Sequence, residues 1–179
     1  MTAEQGRTGA ADAVRAVVEP VVGEAGLFLE DVAVVRAGNR SVVRITLDLP
    51  EDEVGSLDSD TLGDASRAIN AALDANDVVP DAYTLEISTP GTSRPLTELR
   101  HFRRARTRLV KLRLFDGGTV EGRLTEVVDD GEGPRLVLDD GTHVAVADVR
   151  KGKVEVELKR LDDESDASDA GESRTDEEA

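Results

Sequence analysis

Apolar residues first recur at helical spacing. Val14, Val17, Val18 and Val21 fall at i, i+3, i+4 and i+7, which predicts a helix from about Ala11 to Ala25 with one buried face. Pro20 lies inside this run and is expected to kink or restart it. Gly26 is placed to end it. The period then falls to two. Leu27 to Arg36 reads as a strand, Ala37-Gly38-Asn39 as a turn, and Ser41 to Leu49 as a second strand alternating at Val43, Ile45 and Leu47. After the acidic loop Glu51-Asp52-Glu53, Ser56 or Asp58 is placed to cap a helix reaching about Leu73, with Leu62, Ala65, Ile69, Ala72 and Leu73 on its apolar face. Tyr83 to Ser88 is a third strand. This α-β-β-α-β order predicts a three-stranded sheet in which the first strand is central (order 2-1-3), with two helices on one face.

The second half is all strand. Phe102 anchors a short helical turn. Leu109–Phe115, Thr119–Val128, Arg135–Leu138, Thr142–Val146 and Lys153–Leu158 follow, with Asp-Gly steps at Asp116-Gly117 and Asp140-Gly141. Such steps between alternating runs mark hairpins. Five short strands in so few residues predict a small closed barrel, which removes exposed sheet edges. The expected fold class is α+β. Its organisation is disordered residues 1–10, an N-terminal α/β domain over 11–92, a basic junction over 93–106, a β-barrel over 107–160, and a disordered tail over 161–179.

Composition narrows the function classes. The chain has 179 residues and aromatics make up only 2%, so the cores must be built from Val, Leu, Ile and Ala. Cysteine is absent, which excludes disulfides and thiolate metal sites. The polar N-terminus and the lack of any long apolar run lead us to expect a soluble, cytoplasmic protein without a signal peptide or membrane span. The formal net charge is -16. Residues 161–179 carry nine acids and one base, Arg174. Against this background Arg94, Arg100, Arg103, Arg104, Arg106, Arg108, Lys111 and Arg113 stand together, with Glu98 the single acid among them. Positive charge concentrated in an acidic chain points to phosphate contact, and these eight are the RNA-binding candidates. The alternative is arginine stems packed over a domain junction with their heads in solvent.

The junction opens with Ser88-Thr89-Pro90-Gly91-Thr92-Ser93-Arg94-Pro95-Leu96, where the third strand stops at Pro-Gly. Proline fixes φ and glycine permits positive φ, so the chain is expected to leave the sheet at a set angle. Ser88, Pro90, Gly91, Pro95, Leu96 and Phe102 form the structural part of this junction. The run resembles the signature of the bacterial ribosome maturation factor RimP family, a strand ending in Ser-Ser-Pro-Gly-x-x-Arg-Pro-Leu, with Thr89 in place of the second serine. His101-Phe102-Arg103-Arg104 and the helix Leu57 to Leu73 are also similar to that family. The resemblance covers roughly residues 11–160. Thr107 stands where the family usually has glycine. The resemblance implies that the C-terminal barrel is Sm-like. It implies a monomeric, non-enzymatic factor, needing no cofactor, that binds the free small ribosomal subunit and assists its assembly. The implied partners are the small-subunit precursor, ribosomal RNA and a basic small-subunit ribosomal protein, the twelfth of that set.

Other motifs carry less. Gly23-Glu24-Ala25-Gly26 has the bare spacing of a KH-domain loop, but Glu24 opposes phosphate and a helix end is the better reading. Glu51-Asp52-Glu53 and Asp129-Asp130-Gly131-Glu132 lack the alternation of a calcium loop and read as solvated turns. His101 and His143 fall in different units. Ser88, Thr92 and Ser93 have no partnered base in view, so no catalytic or metal site is expected. Two other readings differ in class: an Sm-like RNA regulator unrelated to ribosomes, which would form rings, and an RNA-modifying enzyme, which needs a catalytic cluster.

Overall fold

The computed structural model describes residues 2–37, 40–79, 82–131 and 133–157. Helix α1 spans Thr2–Glu24, so the stretch expected to be disordered before Ala11 continues the helix. The helix also passes through Pro20 without an interruption. It ends at Gly26, whose φ of 70° suits glycine; the Leu27 N–H then donates to the Val22 carbonyl at 3.0 Å. The best-buried stripe is Val14, Val18 and Val22, with Val17 and Val21 flanking it.

Strands β1 (Phe28–Ala37), β2 (Arg40–Asp48) and β3 (Tyr83–Ser88) form the first sheet. Helix α2 (Ser59–Asn76) crosses between β2 and β3. Asp58 caps it, its carboxylate accepting from the Asp60 and Thr61 N–H groups. The order is β1-β2-β3, which corrects the expected 2-1-3. β2 is central, antiparallel to β1 and parallel to β3. The reason lies in its two edges. It is hydrogen-bonded along both, the hairpin holding β1 on one and the α2 crossover returning β3 to the other. α1 and α2 share one core with this sheet, in which Ile45, Leu47 and Ile69 are fully buried.

The second sheet contains β4 (Leu109–Leu114), β5 (Thr119–Val128), β6 (Arg135–Leu138), β7 (His143–Ala145) and β8 (Val149–Val154). Its order is β7-β6-β5-β4-β8. Among the described residues no pairing joins β7 to β8, so the expected closed barrel is not found. β7 is three residues long and passes straight into a 3-10 turn at Val146–Asp148, leaving little backbone to pair with the other edge. The last strand also lies earlier than the expected Lys153–Leu158. Its inward position is Gly152, which is buried but adds no apolar letter to the pattern. The ring of Phe102 fills the space instead: a Cβ on Gly152 would lie 3.0 Å from it. Phe102 belongs to a short helix α3 (Leu99–Arg104). Leu96, Phe102 and Ala105 join the core of the second unit with Val110, Leu112, Leu124 and Leu136. Much of the junction therefore folds with the second sheet. The tail over 161–179 lies outside the described residues.

Candidate nucleic-acid interface at the domain junction

Two carboxylates of the first unit face the junction. β1 has a bulge between Leu29 and Asp31. The extra residue is Glu30, freed from regular alternation and turned toward the junction. Asp48 ends β2 opposite Phe28, so both acids sit at one end of the sheet, where β3 also delivers the linker. Both are largely buried, with side chains 13% and 10% exposed.

The junction arginines converge on this pair. Arg94 Nη1 lies 2.6 Å from Glu30 Oε1, and Arg100 Nη1 donates to Glu30 Oε2. Arg104 donates from Nη2 and Nε to Asp48 Oδ1 at 2.8 and 3.2 Å. It also donates to the Glu53 and Gly55 carbonyls. Arg104 is buried, with its side chain 6% exposed. Arg100 lies over the Phe28 ring, 3.5 Å from its centroid, a cation–π contact. Burial pushes the Arg100 pKa down, against the pull of Glu30 and Asp48. His101 Nδ1 accepts from the Thr97 and Glu98 N–H groups at 3.3 and 3.2 Å. Its hydrogen therefore sits on Nε2, which faces Glu30 Oε1 at 3.1 Å. Three guanidinium groups thus share two carboxylates in a partly desolvated seam.

Backbone contacts fix the linker to the second unit. The Leu96 N–H donates to the Gly152 carbonyl at 2.7 Å, and the Gly152 N–H donates to the Leu96 carbonyl at 2.8 Å. Leu96 is consequently held on β8 while Arg94, two residues earlier, is held on Glu30. The turn before it closes with the Arg94 N–H on the Gly91 carbonyl at 3.0 Å. Gly91 does not have positive φ, and a Cβ there would meet only Ser93 Oγ at 3.7 Å. The expected need for glycine at this turn is therefore corrected. Ser88 sits beside Thr46 at the end of the parallel ladder, and Pro95 is exposed between Arg94 and Leu96.

The eight candidate cations separate into three groups. Arg94, Arg100 and Arg104 face the carboxylate pair. Arg103, Arg106 and Arg108 reach the loop after β2: Arg103 pairs with Glu51 at 2.5 Å, Arg106 donates to the Asp52 carbonyl at 2.6 Å, and Arg108 to Ser56 Oγ at 3.1 Å. Lys111 and Arg113 lie on β4, away from the seam. The acidic loop 51–53 thus serves the junction cations. Sequence reasoning missed Glu30 and Asp48 altogether. The available signal was an acid interrupting each apolar run, Leu29-Glu30-Asp31-Val32 and Leu47-Asp48-Leu49. It also missed Arg150, Lys151 and Lys153 on β8, which stand in sequence as Val149-Arg150-Lys151-Gly152-Lys153-Val154.

Thr107 follows the junction with φ at 69°, a left-handed conformation rare for a β-branched residue. Its N–H donates to the Leu124 carbonyl at 2.7 Å, and its own carbonyl accepts from Arg123 at 2.6 Å. These bonds hold the strained backbone where the linker enters β4.

Comparison with known proteins agrees with this architecture. The family model described as the RimP N-terminal domain matches residues 17–93, which takes in the end of α1, the first sheet, α2 and the start of the junction. A ribosome maturation factor RimP from Kineococcus radiotolerans is 41% identical over 169 residues, covering 83% of this chain and 81% of the relative. The protein of that name from Parafrankia sp. is 43% identical over 160 residues, covering 73% of this chain and 51% of the relative. That from Frankia casuarinae is 39% identical over 169 residues, covering 86% and 62%. The chain thus spans about half the length of the Parafrankia relative and about four fifths of the Kineococcus one. With the family's N-terminal domain matched and identity continuing well beyond it, the chain belongs to the RimP family of ribosome maturation factors.

Proposed function

We propose that this protein is a ribosome maturation factor that binds the free small ribosomal subunit and assists its assembly without catalysis. The observation that carries the reading is the 41% identity to a ribosome maturation factor across four fifths of both chains. Its site chemistry is that of a binding protein. The charged side chains of the junction are matched to one another. The contact with ribosomal RNA draws on the cations that stay accessible, Arg103, Arg106, Arg108, Lys111 and Arg113, through phosphate contacts that position without reading sequence. Arg94, Arg100 and Arg104 set the orientation in which those cations are presented.

The basic ribosomal protein, the twelfth of the small subunit, meets the acidic loops of the second unit. Asp139 and Asp140 are exposed there, in the turn between β6 and β7. The second unit works as an Sm-like module in this reading, and the protein acts as a cytoplasmic monomer. No helix among the described residues is long and apolar enough to cross a membrane. Depleting the protein from its own cells and resolving ribosomal particles by sedimentation tests the function. Small-subunit precursors are expected to accumulate and to disappear when the wild-type chain is restored. An unchanged particle profile would overturn the reading.

A further inference from the structure

The outer face of β4 and β8 carries an arrangement that folding alone does not favour. Lys111 stands directly opposite Lys153, and in the next outward row Arg113 stands directly opposite Lys151. Like charges paired across neighbouring strands repel. A register irregularity between Arg113 and Leu114 inserts Arg150 into β8 beside this row, and Arg150 is exposed. Lys111 is partnered by Glu121 at 3.1 Å and Lys153 by Glu155 at 2.7 Å. Arg113, Arg150 and Lys151 have no ion-pair partner among the described residues. Phe115 is the first residue of the turn after β4. It is 70% exposed, and its N–H donates to the Asp148 carbonyl just before β8.

Protection of a sheet edge is the competing explanation. Lysines commonly guard edge strands against pairing with other chains, and β8 is an edge. That explanation covers Lys151 and Lys153. It does not cover Lys111 and Arg113, because β4 is paired on both sides by β5 and β8 and has no edge to guard. It also leaves an aromatic ring exposed just past the end of β4. In a chain of net charge -16, unpaired cations gathered on one face are complementary to a polyanion. Outward residues of one strand repeat every ~6.7 Å, comparable to the separation of neighbouring phosphates along RNA. The exposed ring adds a surface on which a base stacks.

We infer that the β4–β8 face, through Arg113, Arg150, Lys151 and Phe115, is the main docking surface for an RNA phosphate backbone. The inference rests on the RNA-binding part of the proposed function and moves its centre from the junction to this sheet face.

A fluorescein-labelled, mixed-sequence 20-nucleotide single-stranded RNA is the probe, titrated with the full chain at several salt concentrations. The triple variant Arg113→Ala, Arg150→Ala, Lys151→Ala is expected to bind at least tenfold more weakly at low salt. Losing three phosphate contacts should cut the magnitude of the log K against log salt slope by roughly 2. Phe115→Ala is expected to weaken binding severalfold and leave that slope unchanged, because stacking releases no counterions. Thermal unfolding of the triple variant should match or exceed wild type, since repulsion between rows is relieved. Purely edge-protecting residues would give the opposite: unchanged RNA affinity and slope. That result overturns the docking surface. So does equal loss in a double variant of junction residues, Arg106→Ala with Arg108→Ala. Binding of the same proteins to free small subunits separates the two levels. A wild-type chain that binds subunits beside a triple variant that binds them equally well defeats this surface and leaves the proposed function standing. A wild-type chain that binds the oligonucleotide but no subunit defeats the function instead.

Discussion

Removing Asp48 tests whether the junction arginines hold the two units in one orientation. In Asp48→Ala, Arg104 loses both contacts to Oδ1, at 2.8 and 3.2 Å. It keeps the Glu53 and Gly55 carbonyls. Arg94 and Arg100 lose a weaker attraction, their Nη2 atoms lying 3.8 and 3.9 Å from Oδ2. Arg94 and Arg100 then share Glu30, and Arg104 has no carboxylate partner. Breaking a buried ion pair by removing one partner typically costs about 3–5 kcal/mol, because the remaining charge is left uncompensated. Arg104 retains two carbonyl acceptors, so a cost of about 2–4 kcal/mol is expected here. The seam offers a cheaper escape than unfolding: the units separate and water reaches the guanidinium groups. The natural chain has no cysteine, so spin labels can be placed through Ala71→Cys on α2 and Ala147→Cys beyond β7. Wild type should give one narrow distance distribution by pulsed electron resonance. Asp48→Ala should broaden or lengthen it and lower the urea midpoint of the first unit. Arg104→Met in the same background should recover part of the loss, since an apolar stem leaves no buried charge. An unchanged distribution together with an unchanged midpoint would refute the claim that this network fixes the orientation.

Three further perturbations probe separate features. Gly152→Ala places a methyl group 3.0–3.1 Å from Phe102, Leu112 and Leu96. Such overpacking should destabilise the second unit by about 1–3 kcal/mol in chemical denaturation, and a neutral effect would show that Phe102 does not fill that space. Thr107→Gly relieves a φ of 69°. Against the entropy that glycine adds to the unfolded chain, a net stabilisation of about 1 kcal/mol is expected, and a lower melting temperature would contradict it. Hydrogen bonds from the Thr61 N–H and hydroxyl hold the Asp58 carboxyl below its ordinary 3.8. A depressed carboxylate contributes stability above its unfolded pKa and loses it as pH falls through the folded one. Wild type should therefore lose its advantage over Asp58→Asn below about pH 4, and a pH-independent difference would rule this out.

The parts of the fold that follow side-chain alternation were readable from sequence. β3, β5 and β6 begin and end where their apolar letters and turn residues place them. Asp58 was a visible cap, and Gly26 a visible stop. What escaped reading has physical causes. β8 was displaced because its buried centre is Gly152, with packing supplied by Phe102 from fifty residues away. The order of the first sheet depends on which edge of the β1–β2 hairpin receives β3, and the alternation within each strand does not record that choice. The arginine cluster was visible as charge, but its partners were not. Glu30 and Asp48 are brought to it by a bulge and a strand end, neither of which leaves a local signature strong enough to pair them with residues far along the chain. The sheet face of Lys111, Arg113, Lys151 and Lys153 was hidden in the same way, since it exists only once β4 and β8 are in register.

Preferential binding to an unfinished small subunit is the central expectation of the proposed function. The most direct measurement is the affinity of the purified full chain for immature small subunits, isolated from cells depleted of it, compared with that for mature free subunits and complete ribosomes at the same ionic strength. Immature and mature free subunits are both expected to bind, the immature ones more tightly, with binding to complete ribosomes weakest and all of it falling as salt rises. Equal affinity for every particle, or none for the immature subunit, would contradict a maturation role exerted through binding.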